Sequence, residues 1–272
     1  MKNLRTIRIL LATVAFAATV AYLVFGLSEH PVTRAVAEAQ IVPSLMAETA
    51  GVTLFWLIMT WLFGRVYCAV ICPVGTLQDL AAPLRKYFPG ARKNYRFKSA
   101  KKIRNHIFIV YLLCLVIGVT VVPIVIEPWN IMRSISSIAN ADASAELWTG
   151  LGLGVGVGIL AGVISLLLIL LSAIYFGRDF CNVICPVGTA LSLVGSSALY
   201  HIEIDPDKCS GCLKCEEICQ ASCIKVTDRY VDNARCIRCF DCIAECPDGA
   251  IRYQRGRNRA ATPLLRQVGG RK

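Results

Sequence analysis

Charged residues are scarce in this chain of 272 residues, of which 17% are Asp, Glu, Lys or Arg and 56% are hydrophobic. A soluble globular domain carries about 25% charged residues. The mean hydropathy is correspondingly high, at +0.57. This balance excludes a disordered or collagen-like chain, makes a soluble enzyme a poor fit and favours a membrane protein.

Histidine is scarcer still, with only three residues, His30, His106 and His201. A haem b in a membrane bundle is commonly held by two histidines that lie at one depth on facing helices. We expect His30 near the outer surface of the membrane and His106 near the inner surface, so we predict no haem.

Four apolar stretches are long enough to cross a bilayer as helices, which takes about 20 residues. They cover approximately Ile7–Leu27, Pro43–Phe63, Asn105–Ile126 and Trp148–Phe176. Lys and Arg set the expected orientation: ten lie in residues 64–104, against one each in residues 28–42 and 127–147. We therefore predict a bacterial cytoplasmic membrane protein with both termini cytoplasmic and two short connections outside.

The net charge of +11 is mainly a signal of this orientation. Basic residues in 85–104 and in the C-terminal tail are expected to face anionic lipid headgroups. We do not expect nucleic-acid binding, because no recognition fold accompanies these charges. The first stretch is alternatively a signal peptide with an A-x-A pattern at Ala35–Ala37, and its removal would leave the orientation of the other helices unchanged.

Two segments repeat each other. Residues 63–76 read FGRVYCAVICPVGT and residues 176–189 read FGRDFCNVICPVGT, with eleven of fourteen positions identical. Each segment follows the second helix of a predicted pair. The membrane part is therefore expected to be a parallel duplication about an axis along the membrane normal, which brings the two motifs close together.

Each repeated motif contains two cysteines in a C-x3-C-P pattern, which are Cys68, Cys72, Cys181 and Cys185. On a helix this spacing places both sulfurs on one face, and Pro73 or Pro186 then ends that helix or begins another. Arg65 and Arg178 precede the pairs and would favour thiolates. The four thiols could ligate a metal or a third cluster jointly, act as redox-active dithiols, contact a flavin or quinone, or be buried and inert.

The C-terminal region carries two C-x2-C-x2-C-x3-C runs, the pattern of two-cluster bacterial ferredoxins. The first three cysteines of each run surround one [4Fe–4S] cluster and the fourth serves the other. Cluster 1 is expected to use Cys209, Cys212, Cys215 and Cys246. Cluster 2 is expected to use Cys236, Cys239, Cys242 and Cys219. So small a domain depends on its clusters for stability.

Two residues depart from the simplest form of this pattern. Gln220 stands where the second run has Pro247, which spares the ligand and alters the turn. Cys223 is an additional cysteine in the first run. It is either a small residue packed beside a cluster or an alternative ligand.

Acidic residues near the outer surface are candidates for accepting protons from a quinol. Glu48 is the most membrane-embedded of them, and Glu127 ends the third apolar stretch. Either of these, or His30, could serve, because an ionisable group at membrane depth is a functional candidate. Solvated helix caps are the alternative interpretation.

The helices, the two FGRxxCxxxCPxG motifs and the paired cluster runs together resemble the NapH-type membrane ferredoxins. The wider group includes NosR-like and CcoG-like polyferredoxins. The resemblance spans about residues 45–255, and the short length favours the NapH type. It implies an electron-transfer subunit of a quinol dehydrogenase, with membrane lipid, the quinone pool and other redox subunits of ferredoxin or cytochrome type as partners. Quinone is then the expected substrate.

We predict an all-α four-helix transmembrane bundle of two repeated helical pairs, followed by a C-terminal α+β two-cluster ferredoxin domain. The expected units are residues 1–88, a basic linker 89–104, residues 105–200, the ferredoxin domain 201–254 and a basic tail 255–272. Alternative functions are a CcoG-like copper reductase or assembly factor and a membrane anchor that docks a soluble redox partner. All expected redox groups lie on the cytoplasmic side, so the chain alone does not explain transfer across a hydrocarbon core about 30 Å thick.

Overall fold

The computed structural model describes residues 2–46, 50–90, 94–99, 101–119, 125–140, 148–149 and 155–255. Its first helices are α1 (Lys2–Val24), α2 (Pro31–Glu38), α3 (Ile41–Met46), α4 (Ala50–Phe63), α5 (Tyr67–Val70) and α6 (Pro73–Ala81). A 3-10 turn (Ala82–Tyr87) follows, then α7 (Lys101–Ile117), α8 (Pro128–Ser136), α9 (Val155–Phe176), a π-helical turn (Phe180–Ile184) and α10 (Pro186–Gly195). The C-terminal unit contains β1 (Tyr200–Ile204), α11 (Lys214–Ile218), β2 (Ile224–Lys225), β3 (Tyr230–Val231), α12 (Asp241–Glu245) and β4 (Ile251–Arg255).

Two of the described helices are long and apolar enough to cross a membrane. They comprise Asn3–Val24 and Gly156–Phe176, which match the first and fourth predicted stretches. Only 33% and 28% of their most apolar windows are buried within the protein. Because apolar surface in water costs about 25 cal/mol per Å², such outward faces are suited to lipid.

The other two predicted spans are only partly described. Within Pro43–Phe63 the structure has the end of α3 and the 14-residue α4, and residues 47–49, with Glu48, lie outside the described residues. Within Asn105–Ile126 it has most of the 17-residue α7, which ends at Ile117, and residues 120–124 lie outside the described residues. At about 1.5 Å per residue, each of these described helices is shorter than a hydrocarbon core of about 30 Å.

The connection after α1 is not the simple outer loop predicted for residues 28–42. Pro31 begins α2, and the chain then reaches the first repeated motif. Gln40 accepts a hydrogen bond from the Tyr67 hydroxyl at 2.8 Å, and its amide donates to the carbonyl of Ile71 at 3.1 Å. The indole of Trp56 donates to the carbonyl of Ala39 at 2.8 Å. This segment is therefore helical and packed into the protein.

Helix α8 similarly replaces part of the outer loop predicted for residues 127–147. It begins at Pro128 and is almost entirely buried against α9. The Ser137 hydroxyl donates to the carbonyl of Gly158 at 3.1 Å, and a Cβ on Gly162 would overlap the carbonyl of Ser134. Gly158 and Gly162, which are four residues apart on α9, thus allow close packing against the α8 segment.

The C-terminal unit consists of two small antiparallel sheets and two short helices. Strand β1 pairs with β4, and β2 pairs with β3. Each cysteine run adopts the left-handed region at its third and fifth positions: Gly211 (φ 76°) and Leu213 (φ 63°) correspond to Arg238 (φ 59°) and Phe240 (φ 63°). The two runs therefore repeat in backbone conformation as well as in sequence.

The contact of α8 with α9 predicts the effect of adding one methyl group. Gly162→Ala should destabilise the protein by about 1–3 kcal/mol, because the new Cβ meets backbone rather than a flexible side chain. Gly156→Ala is the matched control on the same helix, since a Cβ there meets nothing within 4 Å. Thermal unfolding of the purified proteins in detergent compares them. Equal melting temperatures for both variants would contradict this packing.

Candidate functional site

The structure brings the four cysteines of the repeated motifs together, as the duplication predicts. Each is at most 5% exposed, and all belong to one buried apolar cluster, which contains Cys68, Cys72, Cys181 and Cys185. Ile41, which begins α3, and Ile131, in α8, belong to the same cluster. The two inward-folded segments therefore help to cover the motif cysteines.

Two fully buried arginines connect the motifs, because each one donates a hydrogen bond to a backbone carbonyl of the other motif. Arg65 of the first motif donates to the carbonyl of Cys181 in the second at 3.0 Å. Arg178 of the second motif donates to the carbonyl of Cys68 in the first at 2.8 Å. Each arginine also occupies the space beside a motif glycine, Gly188 or Gly75, where a Cβ would collide with it. The shared FGR and CPxG portions of the repeat are thus explained by one reciprocal contact.

The surroundings of the two arginines differ. Arg178 forms a double contact with Asp79, which also pairs with Arg8 of α1 at 2.5 Å. Arg65 instead donates to Asn182 Oδ1 at 2.6 Å and lies 3.7 Å from Cys68 Sγ. Arg65 therefore contacts a thiol of its own motif as well as the backbone of the other motif.

The paired cysteines do not lie on one continuous helix. Cys68 lies in α5 and Cys181 in the π-helical turn, whereas Cys72 and Cys185 are the extended N-caps of α6 and α10. Pro73 and Pro186 begin the following helices, which was one of the two alternatives. Proline at the first helical position fixes the backbone there without losing a hydrogen bond. The i, i+4 interpretation was thus wrong in its helix geometry, although the thiols remain close.

The first repeat places an additional amide among the thiols. The Cys181 thiol donates to Gln78 Oε1 at 2.9 Å. Gln78 is fully buried, and its Nε2 has no hydrogen-bond partner among the residues that the structure describes. The equivalent position in the second repeat is Leu191. The first repeat therefore places a buried amide beside the motif cysteines, and the second repeat has an apolar side chain at the equivalent position.

The cysteines of the predicted cluster 1 converge. A small cavity is lined by the whole set, Cys209, Cys212, Cys215 and Cys246. Cys212 is exposed, while Cys215 is buried. Burial and the neighbouring thiols raise the pKa of Cys215 to about 12. A thiol in this position stays protonated until a bound cation stabilises its thiolate.

The second predicted set is more deeply placed. Cys219, Cys236 and Cys242 are buried, and Cys239 is partly buried. Burial is the main cause that raises the pKa of Cys239 and Cys242, and mutual repulsion with Cys219 and Cys236 adds to it. These thiols therefore lie near one another in the C-terminal unit.

Cys223 lies directly against the second set. Its sulfur is 3.5 Å from Cys219 Sγ, and it is 1% exposed. Its hydrogen bonds lower the pKa of Cys219 and lower that of Cys236 to about 5, while the pKa of Cys223 itself rises. Sequence reasoning identified this residue and left its role open. Its contacts are with the thiols themselves rather than with the surrounding core alone.

The C-terminal unit rests on the repeated motifs through buried arginines. Arg238 donates to the carbonyl of Phe63 at 3.1 Å and to Asn233 Oδ1 at 2.6 Å. Arg65 reaches the carbonyl of Arg235 at 3.3 Å, and the Asn182 amide donates to the carbonyl of Ala221 at 3.1 Å. These contacts come from the loops that carry the second set. That set therefore faces the motif cysteines, and the first set faces away.

The predicted proton acceptors have different environments. Glu127 is half-buried and accepts hydrogen bonds from the Tyr111 hydroxyl at 2.5 Å and from Asn130 Nδ2 at 3.0 Å, so it is more than a solvated cap. His30 is exposed at the start of α2. Glu48 lies outside the described residues. Of the two candidates that the structure describes, Glu127 thus makes side-chain hydrogen bonds and His30 is exposed.

Within the described residues, no three His, Cys, Asp or Glu side chains form a group that could hold a single metal ion. This holds for the ferredoxin runs as well as for the motif cysteines.

Comparison with known proteins indicates iron–sulfur chemistry. The family described as "4Fe-4S binding domain" matches residues 49–90 and 159–200. These segments contain all four motif cysteines and none of the eight cysteines in the ferredoxin runs. The match follows the internal repeat of the chain.

The chain is also similar to several curated proteins. It is 27% identical to an uncharacterised protein of Methanocaldococcus jannaschii over 72% of this chain and 67% of the relative. It is 24% identical to the ferredoxin-type protein NapH of Haemophilus influenzae over 75% of this chain and 67% of the relative. Over 45 residues it is 44% identical to one component of the ion-translocating oxidoreductase complex of Methanosarcina acetivorans, covering 16% of this chain and 17% of that one. No solved structure matches significantly.

These likenesses define the chain as an iron–sulfur electron-transfer protein. Its resemblance to the NapH-type ferredoxin proteins, expected from the paired motifs, is confirmed.

The exchanged arginine contacts predict a large cost for losing either one. Arg65→Gln should destabilise the protein by about 3 kcal/mol, because it leaves the buried carbonyl of Cys181 and the Asn182 side chain without their charged donor. Arg34→Gln is the control, since Arg34 forms an exposed pair with Glu38 at 2.7 Å that is worth about 0–1 kcal/mol. Thermal unfolding in detergent measures both, and a similar shift in the two variants would argue against the contact.

Proposed function

We propose that the chain is a membrane-bound electron carrier that passes electrons between the quinone pool and a respiratory reductase system through two [4Fe–4S] clusters. One observation carries the proposal: the loops of the second ferredoxin cysteine set contact the repeated motifs through Arg65 and Asn182. The cysteines of the C-terminal unit thus lie next to the part of the protein that holds the motif cysteines.

The proposed ligands are the two ferredoxin sets. Cys209, Cys212, Cys215 and Cys246 would hold one cluster, and Cys236, Cys239, Cys242 and Cys219 the other. The shared cavity of the first set supports this assignment. The left-handed residues in both runs support it too, because such turns direct successive backbone N–H groups at an anionic group such as an iron–sulfur cluster. When bound, the clusters supply one-electron transfer.

The four motif cysteines are proposed to hold a third cluster jointly. They are buried together and come from both repeats. Buried arginines and two helix N-termini offset thiolate charge. The family description of the matched segments is consistent with the same cofactor. Gln78, with its amide nitrogen unpartnered among the described residues, supplies a polar group at this site.

The proposed setting is a cytoplasmic membrane, crossed several times, with both termini on the cytoplasmic side. The outward apolar faces of α1 and α9 support contact with lipid, and so does α7, where Val116 is 85% exposed. The basic residues of 64–104 support the orientation. The expected units and their boundaries remain part of this proposal, and the tail beyond residue 255 lies outside the described residues.

A soluble or membrane-bound redox subunit is the proposed partner of the first ferredoxin set. Cys212 is exposed, as are its neighbours Ser210, Leu213 and Lys214. The second set is covered by the helical part, so the first is the one accessible to another protein. Electrons would therefore enter or leave the chain at this edge.

The three-cluster arrangement predicts the metal content of the anaerobically purified protein. We expect about twelve iron and twelve sulfide per chain. Replacing the four motif cysteines by serine should remove about four of each and leave the ferredoxin EPR signals. Cys114→Ser is the control, since Cys114 lies apart on α7, and it should keep the full content. A wild-type content of about eight would contradict a third cluster, even if the four-serine variant fails to accumulate.

Coupling to the quinone pool predicts a spectral response. Reduced short-chain ubiquinone or menaquinone, added without oxygen, should bleach the visible absorbance of the clusters in purified protein or its complex. Dithionite provides the control for reducible clusters. Bleaching by dithionite with no response to either quinol would contradict the proposed function.

A further inference from the structure

An apolar cavity of about 270 Å³ lies beside the second repeated motif. Its walls include Thr53 and Leu57 of α4, Phe108 and Tyr111 of α7, and Pro186 and Leu191 of α10. This volume is near the lower end of the range of about 300–1,000 Å³ for sites that hold small molecules. Leu112 and Leu115 also line it and are 43% and 47% exposed, so the cavity adjoins the outer apolar surface.

A groove beside the first repeated motif has the opposite character. It lies between α1 and α6 and is lined by charged residues that include Arg5, Arg8, Asp79 and Asp241. Ion pairs connect these residues across the groove. The duplication has therefore diverged, with Gln78 and Asp79 in one half and Leu191 and Ser192 in the other. An apolar, uncharged ligand fits only the second of these two sites.

The apolar cavity has one polar wall. The hydroxyl of Tyr111, which lines it, donates to Glu127 Oε1 at 2.5 Å. Glu127 Oε2 accepts from Asn130 Nδ2 at 3.0 Å. Buried Asn130 Oδ1 has no hydrogen-bond partner within the described part of the chain. A hydroxyl bonded to a carboxylate can take a proton from a ligand while passing its own proton on.

The cavity is also adjacent to the proposed third cluster. Pro186 and Val187 line it, and they directly follow Cys185 in the chain. A ligand in the cavity would thus have the Tyr111 hydroxyl, bonded to Glu127, on one side. The motif cysteines would lie behind Pro186 and Val187 on another side.

We propose that this cavity binds the headgroup of a lipid-soluble quinone, with its isoprenoid tail leaving past Leu112 and Leu115. The inference rests on the proposed function and locates its quinone site. Oxidation of the quinol breaks two O–H bonds and removes two electrons. Each proton passes from the quinol to Tyr111 as Tyr111 protonates Glu127, and Glu127 releases its proton to water before the next one arrives. Iron–sulfur clusters held by the cysteines would accept the two electrons one at a time.

The first test is binding, measured without turnover. A radiolabelled azido-quinone of short chain length is photolysed with the intact protein in nanodiscs, and the labelled peptides are identified. We expect labelling within residues 108–115 and 186–191, suppressed by excess unlabelled quinone. Suppression by added phospholipid instead would show a lipid-filled crevice and overturn the proposal, as would labelling confined to other segments.

The second test fills the cavity. Ala190→Trp should weaken quinone binding about tenfold or more, because Ala190 lines the cavity. Leu193→Trp is the matched control on the same helix, since Leu193 is 56% exposed and does not line it. Equal affinity in both variants would overturn the site. Iron content verifies that each variant is folded.

The third test separates proton transfer from binding. At saturating quinol, Tyr111→Phe and Glu127→Gln should slow cluster reduction by quinol about 100-fold, with an altered pH profile. Normal rates in both variants would overturn the assigned proton route. Cluster reduction by quinol that persists unchanged in every cavity variant would refute this location and leave the proposed function intact. Absence of cluster reduction by quinol in the wild-type protein would refute the function itself.

Discussion

The exchanged contact between two buried arginines and two backbone carbonyls is the constraint on which the rest of the structure depends. Arg65 reaches Cys181, and Arg178 reaches Cys68. A buried guanidinium is tolerable only where its donors are satisfied. The carbonyls become available because each motif leaves helical geometry between its first cysteine and its proline. The arginines, the glycines beside them and the interrupted helices are therefore parts of one arrangement.

The same polar layer joins the helical part to the C-terminal unit. Arg65 also reaches the carbonyl of Arg235, and Arg238 extends back to the carbonyl of Phe63, which ends α4. The motif cysteines lie on one side of this layer and the second ferredoxin set on the other. A change that repositions one of these arginines would alter the environment of both cysteine groups. Packing and electron transfer thus rely on the same residues.

The cysteine runs and the repeated motifs could be predicted from the sequence, because their defining residues lie close together in the chain. The cysteine runs predict two ligand sets, and the four cysteines of the first set line one small cavity. The repeat predicted that the motifs meet. The sequence did not reveal that α2 and α8 fold inward, since the bonds of Gln40 and Ser137 depend on distant carbonyls. Nor did it reveal the apolar cavity, because that site arises where three separated helices fail to fill their common space.

The reciprocal arginine contact has the pattern of a symmetric dimer interface, but both halves belong to one chain. In a twofold pair, any contact from one copy to the other is made twice, once in each direction. One repeat alone would leave its buried arginine without the carbonyl that the other repeat supplies. Because both repeats belong to one chain, they always meet, and the two halves need not be identical. The first half has ion pairs around Asp79, and the second is apolar around Leu191. A covalent link between the halves therefore permits a different environment on each side of their shared contact.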